Sequence, residues 1–413
     1  MINRYPSYQK TRDQWLTETP DHWKFIRFKY LFEIRKRIAG KLGLDVLSIT
    51  QRGIKRKDIT SGEGQLASDY SKYQIVKVGD FAMNHMDLLT GFVDLSKFKG
   101  VTSPDYRVFS LTNLNCSAKF FLYLLQMGYT DKIFYPLGQG AAHVGRWRLP
   151  TNSFENFKSP MPPLVEQEQI VDFLDKETTH IDLLIQEKKL FIKLLEEKRQ
   201  ALISHVVTKG LDNKIEMKNS SVKWVGEIPV SWKTIRLKYL CDVQTGDKNS
   251  EDFVDGGKYP FFVRSQTVKR INSYTADCEA VLTAGDGAGV GKVYHYINGK
   301  FDFHQRVYMM SNFKKIDGKL FFYYLNYLFH KVAMDGGSKS TVDSLRMPVF
   351  NNFIICVPPK PEQIALIDFI DKAEKKFSFL TKETLTSIAL LKERRAALIS
   401  AAVTGKIDVR ETA

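Results

Sequence analysis

The sequence predicts an α+β protein in which one structural unit occurs twice. The predicted architecture has two mixed α/β domains joined by two long antiparallel helices that form a coiled coil, with a pseudo-two-fold internal repeat. Three observations predict it: a motif near the beginning of each half, a longer segment at the end of each half, and a helical pattern free of proline and glycine within that segment.

The first observation is a repeated motif of fourteen residues. The segment ETPDHWKFIRFKYL at 18–31 returns as EIPVSWKTIRLKYL at 227–240, with nine identical positions and an offset of 209. Chance similarity would not preserve a tryptophan, a tyrosine and three basic residues in the same register. The motif therefore indicates a duplication.

The second observation is a longer repeat. LLEEKRQALISHVVTKGLD at 194–212 matches LLKERRAALISAAVTGKID at 390–408 at eleven of nineteen positions. The alignment extends back without a gap to Pro162 and Pro358 at a constant offset of 196. Since 209 − 196 = 13, the second copy is thirteen residues shorter between its two motifs.

A period near 200 residues is long enough for a domain and too long for a solenoid repeat. We therefore predict a first α/β domain at 15–160, a central helical region at 161–212, a second α/β domain at 224–357 and a distal helical region at 358–408. The ends of the two copies agree and their middles diverge. This pattern indicates one scaffold that carries two different recognition surfaces.

The third observation is the helical pattern, which begins after Pro162-Pro163 and Pro358-Pro359 because proline is tolerated in the first turn of a helix. Each helix is expected to run for about forty residues. Apolar residues follow a seven-residue track and a second track three residues later, the spacing of a helix that packs along another helix. The predicted coiled-coil residues are Leu174, Ile181, Leu184, Phe191, Leu195, Leu202, Ile370, Phe377, Leu391 and Leu398. The alternative is that each helix packs only on its own domain.

The middle of each copy has the pattern of a mixed domain. Runs typical of strands are FAMNHM, YRVFSL and NNFIICV, and runs typical of matching helices are AKFFLYLLQMGYTDKIF and KLFFYYLNYLFHKVAM. A glycine-rich loop follows each helix, GQGAAHVGRWRL at 138–149 and DGGSKSTVDSLRM at 335–347. The two domains are thus expected to share elements although their sequences differ.

The composition is that of a basic, folded protein. Of 413 residues, 43% are hydrophobic, and 61 Lys+Arg against 46 Asp+Glu give a net charge of +15. A charge of this size favours a polyanionic partner, nucleic acid first, over the alternative of a basic protein without such a partner. The four cysteines form no C-x-x-C pair, and no apolar run approaches a membrane span, so we expect a soluble cytoplasmic protein.

No catalytic pattern accompanies this charge. GDGAGVGK at 285–292 is similar to a phosphate-binding loop, but Asp286 stands where the first glycine is needed and Val293 follows the lysine. We interpret it as a glycine turn between strands. The sequence contains neither H-E-x-x-H nor G-x-S-x-G, and its eight histidines are dispersed. We therefore predict no catalytic residues and no metal site.

Basic residues and glutamines stand in the divergent middles. Lys and Arg neutralise phosphates, and Arg, Lys and Gln also recognise base edges. For any one of them a solvated surface charge is the alternative, but as a set, in regions that differ between copies, they favour DNA recognition. The candidate DNA-binding residues are Arg52, Lys55, Arg56, Lys57, Arg107, Gln139, Arg146, Arg148, Arg264, Gln266, Lys269, Arg270, Lys292, Arg306 and Lys339.

Two divergent domains, each opened by E-x-P-x-x-W-K and closed by P-P-x-x-E-Q and a long helix, resemble the specificity subunit of type I restriction-modification systems. The resemblance covers the chain from Trp15 to about Asp408. It implies that each domain is a target recognition domain for one half of a split double-stranded DNA sequence. It also implies that the coiled coil sets the spacer between the halves and docks two modification subunits, which two restriction subunits can join.

The resemblance further implies that this chain is non-catalytic and holds no cofactor. S-adenosylmethionine then belongs to the modification subunit, and ATP and Mg²⁺ to a restriction subunit where one is present. Because the two copies differ in length and in residues, the expected target is asymmetric.

Three alternatives differ in measurable properties. A specificity chain of a related bipartite system would bind one partner polypeptide that fuses methylase and nuclease. An enzyme with eroded motifs would act on DNA by itself, given S-adenosylmethionine or Mg²⁺. A scaffold for protein partners alone would show no salt-dependent affinity for DNA.

Overall fold

The structure is a computed structural model that describes residues 3–60, 67–113, 115–140, 147–330, 345 and 347–410. The chain divides into two compact units. Unit 1 comprises Met1–Lys188 and Thr386–Ala413, and unit 2 comprises Lys189–Leu385. The division falls within both long helices, so each unit contains a part of each.

Among its described residues, unit 1 contains twelve short strands, two short α-helices, the first part of one long helix and the last part of the other. Its elements are β1 Tyr8–Lys10, β2 Glu18–Pro20, β3 Lys24–Arg27, β4 Phe32–Ile34, β5 Leu47–Thr50, β6 Gly53–Arg56, β7 Gln74–Val76, β8 Phe81–Met83, β9 Val93–Leu95, β10 Gly100–Thr102, β11 Arg107–Leu111, α1 Ala118–Thr130, α2 Thr151–Asn156, β12 Lys158–Met161 and the beginning of α3 Leu164–Lys209.

The main sheet of unit 1 is antiparallel, with the strand order β4-β11-β8-β9. Its aromatic residues interlock: Phe81 and Phe109 stack at 5.2 Å, and Phe32 meets Phe109 edge-on. Helix α1 buries Phe121 and Leu125 in the same core. The sheet and α1 together form the predicted mixed domain.

The described residues of unit 2 form ten strands, two short α-helices, the later part of the first long helix and most of the second. Its elements are β13 Met217–Asn219, β14 Glu227–Pro229, β15 Lys233–Arg236, β16 Asp242–Thr245, β17 Tyr259–Phe262, β18 Lys269–Ile271, β19 Ala276–Ala284, β20 Tyr294–Phe303, β21 Val307–Ser311, α4 Gly318–Leu328, α5 Met347–Asn351, β22 Ile354–Val357 and α6 Lys360–Val403.

The main sheet of unit 2 has the strand order β16-β21-β19-β20-β17-β18, with β17 and β20 parallel and the other pairs antiparallel. Strand side chains alternate between faces. Val281 and Met310 therefore enter the core that α4 covers, whereas Leu282 and Met309 enter a smaller core on the other face. Loop 285–292 connects β19 to β20 through a single helical turn at Gly287–Gly289, which confirms the predicted glycine turn.

The strand and helix runs found in the sequence are confirmed with shorter bounds. Strands occupy Phe81–Met83, Arg107–Leu111 and Ile354–Val357, and helices occupy Ala118–Thr130 and Gly318–Leu328. The end of the second helical run, from 331 onward, lies outside the described residues, as does much of both glycine-rich loops.

The long helices α3 and α6 have 46 and 44 residues and lie antiparallel within each unit. In unit 1, Asp182 accepts a hydrogen bond from Arg395 at 3.1 Å, while the earlier Leu174 shares a core with the later Val403. In unit 2, Glu374 pairs with Arg199 at 2.6 Å, and the later residues of α3 share a core with the earlier residues of α6. Later residues on one helix thus meet earlier residues on the other.

The coiled-coil seam follows the first predicted track in part and departs from the second. Leu174, Ile181, Leu195, Ile370 and Phe377 are buried, whereas Leu184, Leu202, Leu391 and Leu398 are half-buried and Phe191 is 45% exposed. The second track runs four residues after the first, through Ile185, Val206 and Ile388. With 3.6 residues per turn, both the third and the fourth following residue share a helix face, so spacing alone did not distinguish them. The assignment of Phe191 to the seam was wrong.

No helix among the described residues is long and apolar enough to cross a membrane.

Candidate nucleic-acid interface

Each unit carries its divergent part on a frame, which we define as the opening-motif strand, the closing strand and the first turn of the long helix. In unit 1, β3 pairs with β12, and Trp23 Nε1 donates to Glu166 Oε1 at 3.0 Å. In unit 2, β15 pairs with β22, and Trp232 Nε1 donates to Glu362 Oε2 at 3.0 Å. The two repeated motifs of each copy therefore bind one another.

The glutamine after this glutamate links the frame to the domain helix. Gln167 Oε1 accepts from the Ser117 N–H at 2.7 Å, and Gln363 Oε1 accepts from the Asp317 N–H at 2.8 Å. Ser117 and Asp317 are the N-terminal caps of α1 and α4. The E-Q dipeptide thus fixes the same helix in both units.

Four repeated residues of the opening motif are exposed in both units. Tyr30 is 63% and Tyr239 is 59% exposed. The Lys29 ammonium lies 5.1 Å from the centre of the Tyr30 ring, and the Lys238 ammonium lies 5.0 Å from that of Tyr239. Packing within the unit does not require these residues. The other exposed pairs are Lys24 with Lys233 and Arg27 with Arg236.

In unit 2 the structure brings two candidates together around one carboxylate. Arg264 Nη1 donates to Asp286 Oδ1 at 2.8 Å, and Arg306 Nη1 donates to Asp286 Oδ2 at 2.7 Å. Burial acts to raise the pKa of Asp286, but the hydrogen bonds from both guanidiniums outweigh it and lower that pKa below its usual value. The carboxylate therefore stays ionised and holds both arginines.

Of the other candidates in unit 2, Lys269 lines one pocket with Arg264 and Asp286. The Lys269 ammonium lies 4.1 Å over the Phe253 ring, and Arg270 Nε donates to the Gly257 carbonyl at 2.9 Å. Gln266 and Lys292 are exposed, and Lys339 lies outside the described residues.

In unit 1 four candidates stand on or beside the β5–β6 hairpin. Arg52, Lys55 and Arg56 are exposed, and Lys57 is half-buried. Arg56 pairs with Asp45 at 3.1 Å. The hairpin therefore presents a basic surface on a separate two-stranded sheet, whereas the β17–β18 hairpin of unit 2, which carries Lys269 and Arg270, is part of the main sheet.

Two further candidates of unit 1 lie on the arms of a loop. Gln139 and Arg148 are both exposed, and their backbones exchange hydrogen bonds of 2.8 and 3.0 Å. Arg146, between them, lies outside the described residues.

Arg107 is buried, which corrects its assignment to the DNA-binding surface. It is 4% exposed, donates to the Leu149 carbonyl at 3.0 Å and lies 4.6 Å from the centre of the Phe154 ring. Burial lowers the pKa of its guanidinium to about 10. Strand β11 lies between β4 and β8, and the Arg107 side chain packs towards Leu149 and Phe154 rather than towards solvent. We reassign Arg107 to positioning Leu149.

Two residues that the structure makes prominent are absent from the candidates predicted from the sequence. In the sequence, Asp286 only departs from the pattern of a phosphate-binding loop. His85 lines a polar pocket of about 400 Å³ with Arg107 and Arg148, and burial together with these two charges lowers its pKa to about 3. Only the spacing of glycines around Asp286 could have indicated a specially held side chain. Among the described residues, no group of three or more His, Cys, Asp or Glu could hold a metal ion.

Comparison with known proteins gives relatives of one kind. The type I restriction enzyme EcoDI specificity subunit of Escherichia coli is 30% identical over 183 residues, which are 44% of this chain and 40% of that protein. The type I restriction enzyme MjaVIII specificity subunit of Methanocaldococcus jannaschii is 26% identical over 377 residues, 82% of this chain and 83% of that protein. The first match thus spans two fifths of its relative, and the second spans most of it.

Solved structures share the fold. A chain from a study of complex assembly and conformational transition of the type I R-M system has a TM-score of 0.71 at 17% identity, covering 94% of this chain and 99% of that one. The HsdS subunit from Thermoanaerobacter tengcongensis has a TM-score of 0.52 at 16% identity, covering 94% and 98%.

The family model of the type I restriction modification DNA specificity domain matches twice, at residues 20–193 and 229–389. The two matches coincide with the two copies of the repeat and together cover most of the chain. The chain therefore belongs to the family of type I restriction-modification DNA specificity proteins.

Proposed function

We propose that this chain is the non-catalytic DNA-recognition subunit of a type I restriction-modification complex, in which each unit recognises one half of a bipartite double-stranded DNA target. The observation that carries this proposal is an equivalent frame in both units beneath unlike basic surfaces. Unit 1 presents the Arg52–Arg56 hairpin, whereas unit 2 presents Arg264 and Arg306 around Asp286. Unlike surfaces recognise unlike sequences, so the target is asymmetric.

The proposed protein partners are two modification subunits, one for each copy of the repeat. The exposed pairs Lys29-Tyr30 and Lys238-Tyr239 support this stoichiometry. A recognition surface would have diverged with the target, whereas these residues are the same in both copies. An aromatic ring more than half exposed gains stability when a partner covers it. One partner that docks twice accounts for both features.

The long helices are proposed to set the spacer between the two half-sequences. After its first turn, each helix continues without proline or glycine to its end. Helices of this kind are stiff, with a rise of about 1.5 Å per residue. The number of residues in them would therefore fix the number of base pairs between the halves.

The chemistry is proposed to belong to the partners. S-adenosylmethionine would bind the modification subunit, and ATP and Mg²⁺ a restriction subunit where one is present. The contribution of this chain is to bind DNA and to position the target relative to the modification subunits.

The test is reconstitution with the cognate modification subunit. We expect no methyl transfer from S-adenosylmethionine by this chain alone, and adenine methylation at a split site by the complex. Native mass spectrometry should show two modification subunits on the wild-type chain, one on Tyr30→Ala, and none on the variant that combines Tyr30→Ala with Tyr239→Ala. Tyr274→Ala is the matched control, since Tyr274 is 44% exposed and not repeated. Robust methyl transfer by the chain alone, or loss of both partners in the control, would contradict the proposal.

A further inference from the structure

The glycine-rich loop 285–292 has a purpose in the structure other than binding a phosphate. Its Gly285 N–H donates to the Arg306 carbonyl at 2.9 Å. A Cβ at Gly289 would come within 2.6 Å of the Arg264 carbonyl oxygen, so only glycine permits this approach. The loop therefore contacts the backbones of both Arg264 and Arg306, and Asp286 lies between the two contacting glycines.

Asp286 orients the two guanidiniums and leaves most of each available. Within the described part of the chain, each carboxylate oxygen accepts from a single Nη1 atom. A guanidinium has five N–H donors, and neither has another hydrogen-bond partner among the described residues. The side chains of Arg264 and Arg306 are 40% and 58% exposed, whereas that of Asp286 is 19% exposed. The remaining N–H groups of the two guanidiniums are thus held in place and exposed to solvent, whereas the Asp286 carboxylate is largely covered.

The ligand chemistry follows from the carboxylate. A phosphate is bound well by any flexible arginine or lysine, and a neighbouring carboxylate would weaken that contact by repulsion. A neutral base edge is not repelled, and it requires the donors to be held in a fixed plane. Guanine presents two acceptors, O6 and N7, in the major groove, and they match the paired donors of one guanidinium.

We propose that unit 2 recognises guanine in its half of the target through Arg264 and Arg306. Asp286 holds the two guanidiniums in the orientation in which they contact the base edge. This inference rests on the proposed function and specifies the base that unit 2 recognises. Arg264 and Arg306 contact the base edge, and Asp286 is a positioning residue.

The alternative explanation is that the ion pairs of Asp286 only stabilise the position of loop 285–292. The backbone contacts of Gly285 and Gly289 already stabilise that position. This explanation predicts that loss of either arginine affects folding or affinity without altering base preference. The two explanations therefore differ in a measurable way.

The experiment uses the reconstituted complex and the target that methylome sequencing identifies for it. Duplexes carry 7-deazaguanine, which lacks the N7 acceptor, at one guanine at a time. For the wild type we expect affinity to fall about tenfold or more at one or two guanines of a single half-sequence. Arg264→Ala or Arg306→Ala should weaken binding to the normal duplex. At the guanine that the removed arginine contacts, replacement by 7-deazaguanine should then cause no further loss of affinity. Asp286→Asn should reduce the same discrimination, and Lys300→Ala, an exposed cation on the same sheet, should leave it unchanged.

Each outcome decides between the explanations. If Arg264→Ala and Arg306→Ala bind less tightly but discriminate 7-deazaguanine as the wild type does, the inference is wrong and the proposed function stands. A wild-type target without guanine on either strand of the half that these variants affect also overturns it. If the wild-type complex methylates no bipartite site, the proposed function fails and this inference fails with it.

Discussion

Trp23 Nε1 donates to Glu166 Oε1 at 3.0 Å across 143 residues of sequence, and both side chains are buried. The indole belongs to the opening motif and the carboxylate to the closing motif. A buried indole N–H needs an acceptor, so neither residue can change alone without cost. Trp232 and Glu362 repeat the contact at the same distance. This mutual dependence explains why the ends of the two copies agree while their middles diverge.

Removing the acceptor should destabilise the unit that contains it. Glu166→Ala leaves the Trp23 N–H unsatisfied and should lower the free energy of unfolding of unit 1 by about 1–3 kcal/mol. Glu362→Ala should do the same to unit 2. Urea unfolding provides the measurement, with Asp172→Ala, an exposed repeated position, as the control. Equal stability of Glu166→Ala and the control would refute the structural role of this contact.

The equivalent arginines Arg199 and Arg395 each form an ion pair between the long helices, with carboxylates at non-equivalent positions of the repeat. Arg199 binds Glu374, which is 17% exposed and also accepts from Tyr327, whereas Arg395 binds Asp182, which is 49% exposed. When its arginine is removed, a buried carboxylate is left with neither an ion-pair partner nor water, whereas an exposed carboxylate is hydrated. Arg199→Ala should therefore cost about 1–3 kcal/mol and Arg395→Ala less than about 1 kcal/mol in thermal or urea unfolding. The reverse order would contradict the prediction.

His85 should make unit 1 sensitive to acid. Its pKa is lowered to about 3 in the folded protein, against roughly 6.5 in an unfolded chain. Between these values the unfolded chain binds the additional proton, so the free energy of unfolding should fall as the pH falls from about 6.5, by up to about 1.4 kcal/mol per pH unit. His85→Gln removes the titrating group and should flatten this part of the stability curve. Parallel curves for wild type and variant would show that His85 is not responsible.

The helices should act as a spacer of adjustable length. Inserting seven residues into the middle of both α3 and α6 keeps the seam in register and adds about 10 Å, roughly three base pairs. We expect both half-sequences to persist while the number of bases between them increases, or methylation to be lost. An insertion of five residues, which turns the following residues about 140° away from the seam, is the control and should abolish assembly. An unchanged spacer with full activity would exclude this role.

The architecture was predictable from the sequence because a duplication is visible without structural knowledge. The long helices were predictable for a similar reason, since proline and glycine are absent over more than forty residues of each. The seam was predictable only in part. Ile185 and Leu184 are both apolar and both fit helical spacing, and only the packed helices show that Ile185 is the buried one.

The candidate interface was less predictable because surface charge and buried charge look alike in a sequence. Arg107 and Arg306 are both arginines beside apolar strands, but one is 4% exposed and the side chain of the other 58%. Which residues meet across a sheet depends on strand order, and the strand order of unit 2 does not follow the chain. The cluster of Arg264, Asp286 and Arg306 therefore could be found only in the structure.

The central claim is that this chain selects a bipartite, asymmetric DNA target for modification subunits. Methylome sequencing of a host with and without this gene tests it most directly, with the modification subunit present in both strains. We expect one methylated adenine motif that depends on the gene and consists of two unlike half-sequences separated by unspecified bases. A motif that is a perfect palindrome, or a methylome that does not change when the gene is removed, would contradict the account.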